Sequence, residues 1–421
     1  MGKKYDFKYI VIGSGPAGSA AALTLAKAKK SVCLVEGRFF GGSNLNTYDV
    51  PYAVALDFAH HYSKTLSYPE LKNQDLTFSF PTIAVNQKKL TAENFVLATG
   101  AHLKVSGITG TETVNFLTPE TAIKVRRLPK VIAVVGGGST GCEIAEYFAE
   151  LGAKVLILES SDRLLPREDK EVSDTISSYF IRKLGVNVLT GCKVVAMGQD
   201  NFSKYLIFQY GNTEKMVRTE SIVLATGSEP SLNYGLENAG VKYKSTGITV
   251  DKLFQTSTKN IYAIGDCLGG ESSTDRAHLQ GSVLASNLVS NSKTLANYGG
   301  LARVTYTYPE VAVVGLTEEE LLRRHRKYKK VIIKLDETIA SKTQNFSYGF
   351  IKLLSDKTYH ILGATIVAPN ASLLTGELAL AIHHNLTAVE IASTPHIMNS
   401  YSHLIRLATR QLLGKTPKKT R

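Results

Sequence analysis

Residues Tyr9 to Gly18 read YIVIGSGPAG, and this stretch decides the first part of the fold. Its apolar, β-branched start predicts a strand, and the alanine-rich sequence after the glycines predicts a helix to about Lys29. A second strand is predicted from Ser31 to Val35, ending at Glu36. Strand, glycine loop, helix, strand and terminal acid together predict a dinucleotide-binding fold. The glycines permit a tight turn and a close approach of pyrophosphate to the helix N-terminus, and Glu36 can accept hydrogen bonds from a ribose.

The same pattern occurs a second time. Strands are predicted from Val131 to Val135 and from Lys154 to Leu158, with GGGSTG (136–141) and a helix from about Cys142 to Leu151 between them. Two such folds imply two nucleotide cofactors. The second acid, Glu159, favours NADH over NADPH because a carboxylate accepts hydrogen bonds from a ribose diol and repels a 2′-phosphate. The nearby Arg163 and Arg167 leave NADPH as an alternative.

The segment Phe40 to Tyr52, FGGSNLNTYDVPY, directly follows the first fold and should pass close to its cofactor. Its paired glycines allow backbone to approach a ligand, and its polar side chains include no thiol. Further along, a helix is predicted from Ala53 to Leu66 and a small sheet between Phe78 and Thr91. Phe95 to Gly100, FVLATG, predicts a strand that ends in a tight turn.

A second ATG turn stands at Ala225 to Gly227. The segment NIYAIGD, from Asn260 to Asp266, predicts a strand ending on a carboxylate, which is well placed to bind a chain of sugar hydroxyls beside the helix predicted from Ala277 to Leu288. After residue 303 the pattern changes, and strands followed by helices predict an α+β domain. The predicted strands are Arg303–Thr307, Lys330–Leu335, Gly349–Leu354 and Ile361–Val367, and the predicted helices are Ala371–His383, Thr387–Ala392 and Tyr401–Leu413.

Composition places the chain among globular proteins. With 421 residues, 43% of them hydrophobic, two or three domains are expected. The apolar runs are strand-sized and no signal peptide is visible, so no membrane span and a cytoplasmic location are expected. The net charge of +13 is spread along the chain, which argues against a nucleic-acid partner. Four single cysteines form neither a redox motif nor a metal-ligand set, so no metal is expected.

The order of these motifs resembles the flavin-dependent pyridine nucleotide disulfide oxidoreductases, the group of lipoamide dehydrogenase, glutathione reductase and mercuric reductase. The likeness covers essentially the whole chain, and TYPEVAVVGLTEEE (Thr307 to Glu320) resembles the start of that family's dimerisation domain. The resemblance implies a homodimer with FAD and NAD, or NADP, as cofactors. The cofactor-binding residues expected from the motifs and the resemblance are Gly13, Gly15, Pro16, Ala17, Gly18, Glu36, Gly41, Gly42, Ser43, Thr99, Gly100, Gly136, Gly138, Gly141, Glu159, Gly227, Gly265, Asp266 and Ala277.

The expected fold class is α/β, with two Rossmann-like nucleotide-binding domains and a C-terminal α+β dimerisation domain. The predicted boundaries are 1–127 with 250–298 for a discontinuous FAD-binding domain, 128–249 for an NAD(P)-binding domain and 299–421 for the dimerisation domain.

The chain departs from the family at its reaction centre. The family's two redox-active cysteines would fall at Asn44 and Asp49, and the lysine that pairs with the glutamate matching Glu143 would fall at Ala53. The family's C-terminal histidine and glutamate would fall at Thr394 and Asn399. His396 and His403 lie near but at different spacings, and a surface or interface position is their simpler interpretation.

We therefore predict an FAD-dependent NAD(P)H oxidoreductase in which reduced flavin passes electrons directly to a small acceptor: a quinone, oxygen, a metal or an electron carrier. The catalytic candidates are Asn44 as a hydrogen-bond partner, Asp49 as a proton donor or acceptor, and Glu143. Asp49 could instead only cap the following helix. Two alternatives are a catalytically degenerate flavoprotein with a binding or structural role, and a disulfide reductase that uses Cys142 or Cys267.

Overall fold

The structure is a computed structural model that describes residues 5–37, 40–43, 55–56, 59, 92–105 and 107–414. Contacts divide the chain into two compact units. The first contains the described residues of Met1–Ser106, Thr118–Val125 and Thr226–Asn297, and the second contains those of Gly107–Leu117, Arg126–Ala225 and Tyr298–Arg421. Among the described residues, no helix is long and apolar enough to cross a membrane.

The strands, in chain order, are β1 (Phe7–Ile12), β2 (Val32–Val35), β3 (Ala92–Leu97), β4 (Ala101–Leu103), β5 (Val131–Val135), β6 (Lys154–Leu158), β7 (Asn187–Leu189), β8 (Cys192–Gln199), β9 (Lys204–Tyr210), β10 (Thr213–Thr219), β11 (Ser221–Leu224), β12 (Ser228–Pro230), β13 (Tyr243–Lys244), β14 (Gly247–Ile248), β15 (Ile261–Ala263), β16 (Ala302–Thr305), β17 (Glu310–Gly315), β18 (Lys329–Lys334), β19 (Phe350–Ser355) and β20 (Ile361–Ala368). The helices are α1 (Pro16–Lys27), α2 (Pro119–Ala122), α3 (Ser139–Glu150), α4 (Lys170–Arg182), α5 (Thr274–Ser290), α6 (Glu318–Arg323), α7 (Ile339–Thr343), α8 (Thr375–His383), α9 (Ala388–Ser393) and α10 (His403–Leu412).

The first unit is organised around a parallel sheet of order β15-β3-β1-β2. The carboxyl ends of parallel strands lie at one edge of a sheet, and that edge is where open α/β folds bind ligands. The first glycine loop follows β1, Glu36 follows β2, the turn 98–100 follows β3, and Gly265 and Asp266 follow β15 within three residues. Helices α1 and α5 pack together beside this sheet, and their apolar faces share one core.

The second unit contains another parallel sheet, of order β11-β5-β6-β7, with the second glycine loop at the carboxyl end of β5. An antiparallel sheet of order β10-β9-β8 follows β7 in the chain. Sequence reasoning did not predict this second sheet. Much of β10 is exposed and polar, so it offers little of the apolar alternation by which a strand is recognised.

The C-terminal part of the second unit is an antiparallel sheet of order β16-β17-β20-β19-β18, with helices that bury their apolar side chains against it. Strands β19 and β20 are buried along their whole length. The predicted helix from Ala371 to His383 begins instead with a 3-10 turn (Ala371–Leu374), and the α-helix starts at Thr375. Strand β17, inside the TYPEVAVVG segment, was not predicted as a separate element.

The predicted fold class is confirmed, since helices and strands alternate around two parallel sheets before an α+β part. The central strands β5 and β6 have the predicted bounds, whereas helix α3 begins at Ser139, three residues before the predicted start. The predicted helix 53–66 lies outside the described residues except for positions 55, 56 and 59, which are helical, and the predicted strands from Phe78 to Thr91 lie outside them entirely. The predicted domain boundaries remain a prediction.

Candidate functional site

The glycines of the first glycine loop have different structural roles. A Cβ on Gly18 would lie 1.9 Å from the carbonyl oxygen of Gly13, and a Cβ on Gly13 would lie 2.2 Å from that of Ala98. Gly15, in contrast, has no described residue within 4 Å of its Cβ direction and precedes α1 with no side-chain cap from the described part of the chain. The outer glycines therefore allow close packing, while the middle one leaves the helix N-terminus open to a phosphate group.

A short chain of hydrogen bonds joins the first acid to this loop. Glu36 Oε2 accepts from the backbone N–H of Ser14 at 2.9 Å and from its hydroxyl at 2.7 Å, and Ser14 Oγ accepts from the N–H of Gly41 at 2.8 Å. A Cβ on Gly42 would lie 2.6 Å from Gly15 Cα, so the paired glycines lie directly against the loop. Sequence reasoning missed Ser14, although its place between two glycines was a usable signal.

The paired glycines are followed by Ser43, which is described and helical. The catalytic candidates Asn44 and Asp49 lie outside the described residues, as does Ala53. Their proposed roles therefore depend on the sequence alone.

Asp266 lies beside the start of α1. The N–H of its neighbour Gly265 donates to Gln280 Oε1 at 2.7 Å, and a Cβ on Gly265 would lie 3.1 Å from Ala17 Cβ. Ala277 is buried in the first turn of α5, which packs against α1. The structure thus brings together Ala17, Gly265 and Ala277, whereas their binding of a cofactor remains a prediction. Gln280, which is buried and positions the Gly265 turn, was not foreseen.

The two ATG turns are also shaped by glycine. Gly100 and Gly227 have φ values of 69° and 91°, a region that favours glycine. Thr99 Oγ1 lies 3.0 Å from the hydroxyl of Tyr234, whose pKa burial raises to about 12. Tyr234 therefore keeps its proton at neutral pH and can act as a hydrogen-bond donor.

The second glycine loop repeats the geometry of the first. A Cβ on Gly141 would lie 1.9 Å from the carbonyl oxygen of Gly136. A Cβ on Gly138, the residue before α3, would have no atom of the described residues within 4 Å, and they provide no side-chain cap there. The buried carboxylate of Glu159 accepts from the N–H of Gly137 at 2.5 Å and from that of Ser161 at 2.6 Å. This loop therefore has the same fit to a dinucleotide pyrophosphate.

Arg163, which the sequence suggested as a partner for the 2′-phosphate of NADPH, forms hydrogen bonds with other residues. Its Nη2 donates to Glu319 Oε1 at 2.7 Å and to the carbonyl oxygen of Glu168 at 3.3 Å. These contacts direct the guanidinium toward α6.

Glu143 lies on α3 and is 7% exposed. Its Oε1 accepts from the backbone N–H of Tyr306 at 2.8 Å, and one turn further along, Glu146 accepts from the N–H of Tyr308 at 2.8 Å. Burial raises the pKa of Glu146 well above its usual range, and the neighbouring Glu150 raises it further. The helix after the second glycine loop is therefore attached to the end of β16 through buried carboxylates.

All four cysteines lie within the described residues and all are free thiols. Burial raises the pKa of Cys142 well above its usual range, and it raises that of Cys267 to about 11. Burial likewise raises the pKa of Cys192. These thiols therefore stay protonated near neutral pH and are weak nucleophiles.

The two C-terminal histidines occupy different surroundings. His396 Nε2 lies 2.9 Å from Glu377 Oε1, and its Nδ1 lies 2.8 Å from the carbonyl oxygen of Thr394. Burial lowers the pKa of His403, and Arg406 and His396 lower it further. Sequence reasoning did not find Glu377, because it stands 19 residues before His396 and no motif joins the two.

Comparisons with known proteins agree with this geometry. The family described as pyridine nucleotide-disulphide oxidoreductase matches residues 7–281, and its dimerisation domain matches residues 301–408. Mercuric reductase of Bacillus cereus is 28% identical over 93% of this chain and 69% of the relative. Dihydrolipoyl dehydrogenase of Mycobacterium leprae is 29% identical over 97% of this chain and 98% of the relative.

Solved structures show the same fold at lower sequence identity. LpdA from Mycobacterium tuberculosis superposes with a TM-score of 0.85 at 23% identity, over 96% of this chain and 99% of that chain. The Cu(II) complex of the HOCl-induced flavoprotein disulfide reductase RclA from Escherichia coli also has a TM-score of 0.85, at 21% identity over 97% of this chain and 100% of that chain.

Proposed function

Since the chain belongs to the pyridine nucleotide-disulphide oxidoreductase family and is a flavoprotein oxidoreductase with FAD and a nicotinamide nucleotide as cofactors, we propose that it works without a dithiol relay. In this proposal electrons pass from NAD(P)H through FAD directly to a small acceptor. The acceptor is a quinone, oxygen, a metal ion or an electron carrier. One observation carries the proposal: both glycine loops have complete geometry, whereas all four cysteines are free.

The chain's own residues are suited to hold both nucleotides. FAD, when bound, supplies the two-electron chemistry that amino-acid side chains lack. Gly15 and Gly138 leave two helix N-termini open for pyrophosphate groups, and Glu36 and Glu159 stand at the strand ends where ribose hydroxyls bind. Asp266 is proposed to bind the sugar-like hydroxyl chain of the flavin.

NADH is the proposed preferred reductant. Glu159 repels a 2′-phosphate, and the guanidinium of Arg163 is held by Glu319 instead of being available to bind that phosphate. In the net reaction with a quinone or oxygen, NAD(P)H gives a hydride and solvent gives a proton, so that the acceptor gains two electrons and two protons. With a metal ion or an electron carrier the acceptor takes only the two electrons, and the proton of the hydride is released to solvent. Asn44 and Asp49 are proposed to contact the acceptor, with Asp49 holding or releasing the proton.

The absent thiol relay is supported by the sequence and by the state of the remaining thiols. Asn44 and Asp49 cannot form a disulfide, and the buried Cys142 and Cys267 have raised pKa values. The match of residues 301–408 to a dimerisation domain supports a homodimer. Free cysteines are typical of proteins kept in a reducing compartment, which supports the cytoplasm as the proposed location.

Anaerobic stopped-flow mixing of the purified protein with NADH tests the proposal. We expect the flavin absorbance near about 450 nm to bleach, and reoxidation by one acceptor class to restore it. Gly141→Ala is the matched control, because its Cβ would collide with the Gly136 carbonyl oxygen in the nicotinamide loop while the FAD loop stays intact. It should remain yellow and lose reduction by NADH.

Two results would contradict the proposal. If neither NADH nor NADPH bleaches the wild-type flavin, the chain is a catalytically degenerate flavoprotein. If the double variant Cys142→Ser/Cys267→Ser loses acceptor reduction while keeping flavin reduction, a thiol takes part after all.

A further inference from the structure

A pair of hydroxyl groups joins the C-terminal sheet to the start of helix α3. Thr305, the last residue of β16, donates from Oγ1 to Ser139 Oγ at 2.7 Å. Ser139 is the first residue of α3 and directly follows Gly138, which has no side chain to cap the helix. Position 305 is therefore linked to the loop where the nicotinamide nucleotide is proposed to bind.

The two hydroxyl groups lie in different surroundings. Thr305 is only 3% exposed, whereas Ser139 is exposed. A hydroxyl group has one hydrogen to donate and two lone pairs with which to accept. Because Thr305 donates in this contact, the hydrogen of Ser139 must point away from Thr305. No residue in the described part of the chain accepts that hydrogen.

A bound phosphate group would supply the acceptor that Ser139 lacks. The first N–H groups of a helix have no partner within the helix, and together with the helix dipole they attract anions. Helix α3 is 12 residues long, and the described residues give its N-terminus no side-chain cap. The hydroxyl of Ser139 stands at this same N-terminus with its hydrogen available. Ser139 therefore adds a side-chain donor to the backbone donors of the second glycine loop.

We propose that Thr305 is a positioning residue for the nicotinamide nucleotide: it orients Ser139 so that the Ser139 hydroxyl donates to a phosphate oxygen of the bound nucleotide. This inference rests on the proposed function, which assigns NADH or NADPH to the second glycine loop. A purely structural contact would only attach β16 to α3, and the N–H of Tyr306 already does this by donating to Glu143. Loss of attachment would lower stability, whereas loss of positioning lowers the affinity for nucleotide.

Calorimetric titration of the FAD-loaded protein with NAD⁺, and with NADP⁺ in parallel, tests the proposal. Thr305→Val keeps the shape of the side chain but removes its donor, and should weaken nucleotide binding by about fivefold to tenfold. Thr305→Ser retains the hydroxyl and should bind within about twofold of the wild type. Thr307→Val is the matched control, because Thr307 is 2% exposed and its hydroxyl donates to the carbonyl oxygen of Pro309 instead of to the loop. It should bind nucleotide as the wild type does.

Ser139→Ala tests whether Thr305 acts through Ser139. Since Ser139 is exposed, this variant should fold normally, and it should weaken nucleotide binding by about tenfold. The double variant Ser139→Ala/Thr305→Val should bind no more weakly than Ser139→Ala alone, because neither hydroxyl acts without the other. In stopped-flow reduction by NADH, the limiting rate should stay within about twofold of the wild type, so that the effect appears in the dissociation constant.

Several outcomes would overturn this inference. Additive losses in the double variant exclude coupling through Ser139, and wild-type affinity in Ser139→Ala excludes the donor itself. Equal losses in Thr305→Val and Thr307→Val, or no recovery in Thr305→Ser, indicate a structural role. Flavin content and Tm establish that each variant is folded, and Ser139→Ala decides the matter if Thr305→Val does not fold.

The binding measurement also separates this inference from the redox function. A wild-type protein that binds NAD⁺ or NADP⁺ but is bleached by neither NADH nor NADPH contradicts the redox function alone, because calorimetry requires no flavin reduction. A wild-type protein that binds neither nucleotide overturns the positioning role of Thr305.

Discussion

Replacing Lys352 by methionine should destabilise the second unit by about 3–5 kcal/mol, the range for breaking a buried ion pair. Lys352 lies in β19 with its side chain 0% exposed, and its Nζ is 2.8 Å from Asp169 Oδ2. Glu171 and Glu318 are its other partners, at 2.9 Å and 3.2 Å. Asp169, itself 2% exposed, also accepts from the N–H groups of Glu318 and Glu319. Methionine has a suitable length but leaves Asp169 and Glu171 without this cation, whereas Glu318 keeps Lys330 at 2.8 Å.

The magnitude follows from burial, and a neighbouring lysine provides the control. Lys170 also forms an ion pair, 2.8 Å from Asp174, but the two side chains are 71% and 63% exposed. An exposed pair of this kind on one helix contributes about 0.3–0.5 kcal/mol. Lys170→Met and Lys352→Met therefore make the same chemical change and should differ roughly tenfold in effect.

Burial by itself lowers the pKa of Lys352, but hydrogen bonds to Asp169 and Glu171 outweigh it and the pKa is raised. A raised lysine pKa means that the stabilisation is fully present at neutral pH and is lost only at alkaline pH, above the usual range of lysine. The comparison should therefore be made near neutral pH.

Thermal and urea unfolding at a fixed excess of FAD measure the effect, because bound cofactor shifts the apparent stability. For a unit of this size about 1 kcal/mol corresponds to about 2–4 °C, so Lys352→Met should lower the Tm by roughly 6–20 °C. Lys170→Met should lower it by no more than about 2 °C. The reasoning is refuted if the two variants unfold within about 1 kcal/mol of each other.

Three further outcomes are expected. Gly18→Ala should purify with little or no flavin, because its Cβ would lie 1.9 Å from the Gly13 carbonyl oxygen. Gly37→Ala, where no described residue lies within 4 Å, should stay yellow, and equal flavin content in the two variants would contradict the packing role of Gly18. Glu159→Gln should raise the ratio of kcat/KM for NADPH to that for NADH by about tenfold, as steady-state kinetics would show, and an unchanged ratio would remove the charge argument. In the native protein near neutral pH, a thiol reagent should modify only Cys33, because burial raises the pKa of the other three thiols. After unfolding the reagent should modify all four cysteines. Rapid labelling of more than one thiol in the native protein would disprove this.

The nucleotide loops could be predicted from sequence because each is a local pattern. A glycine needed for a tight turn and an acid at the next strand end stand about twenty residues apart. The steric and hydrogen-bonding requirements that select these residues arise within one strand-helix-strand segment. Gly15 and Gly138 precede the starts of α1 and α3, and Glu36 and Glu159 accept hydrogen bonds from the loops before those helices. Their binding of cofactors remains a prediction.

The contacts that could not be predicted join segments far apart in the chain. Glu377 and His396 belong to different helical segments, and Lys352 meets Asp169 across 183 positions that no sequence motif connects. Such pairs depend on how packed elements approach each other, which hydrophobic periodicity does not encode. The predicted catalytic pair Asn44 and Asp49 rests on an absence of cysteine, and the structure does not describe those residues.

Glu143 has hydrogen-bond partners in the nucleotide fold that do not depend on the lysine with which the family pairs this glutamate. By the resemblance, the lysine that pairs with this glutamate would fall at Ala53, and a buried carboxylate without a partner would be strongly destabilising. Yet Glu143 accepts the backbone N–H of Tyr306 at 2.8 Å, as Glu146 does that of Tyr308 at 2.8 Å. Backbone donors persist whatever side chain stands at position 53. Helix α3 therefore stays attached to the C-terminal sheet through donors that do not depend on residue 53.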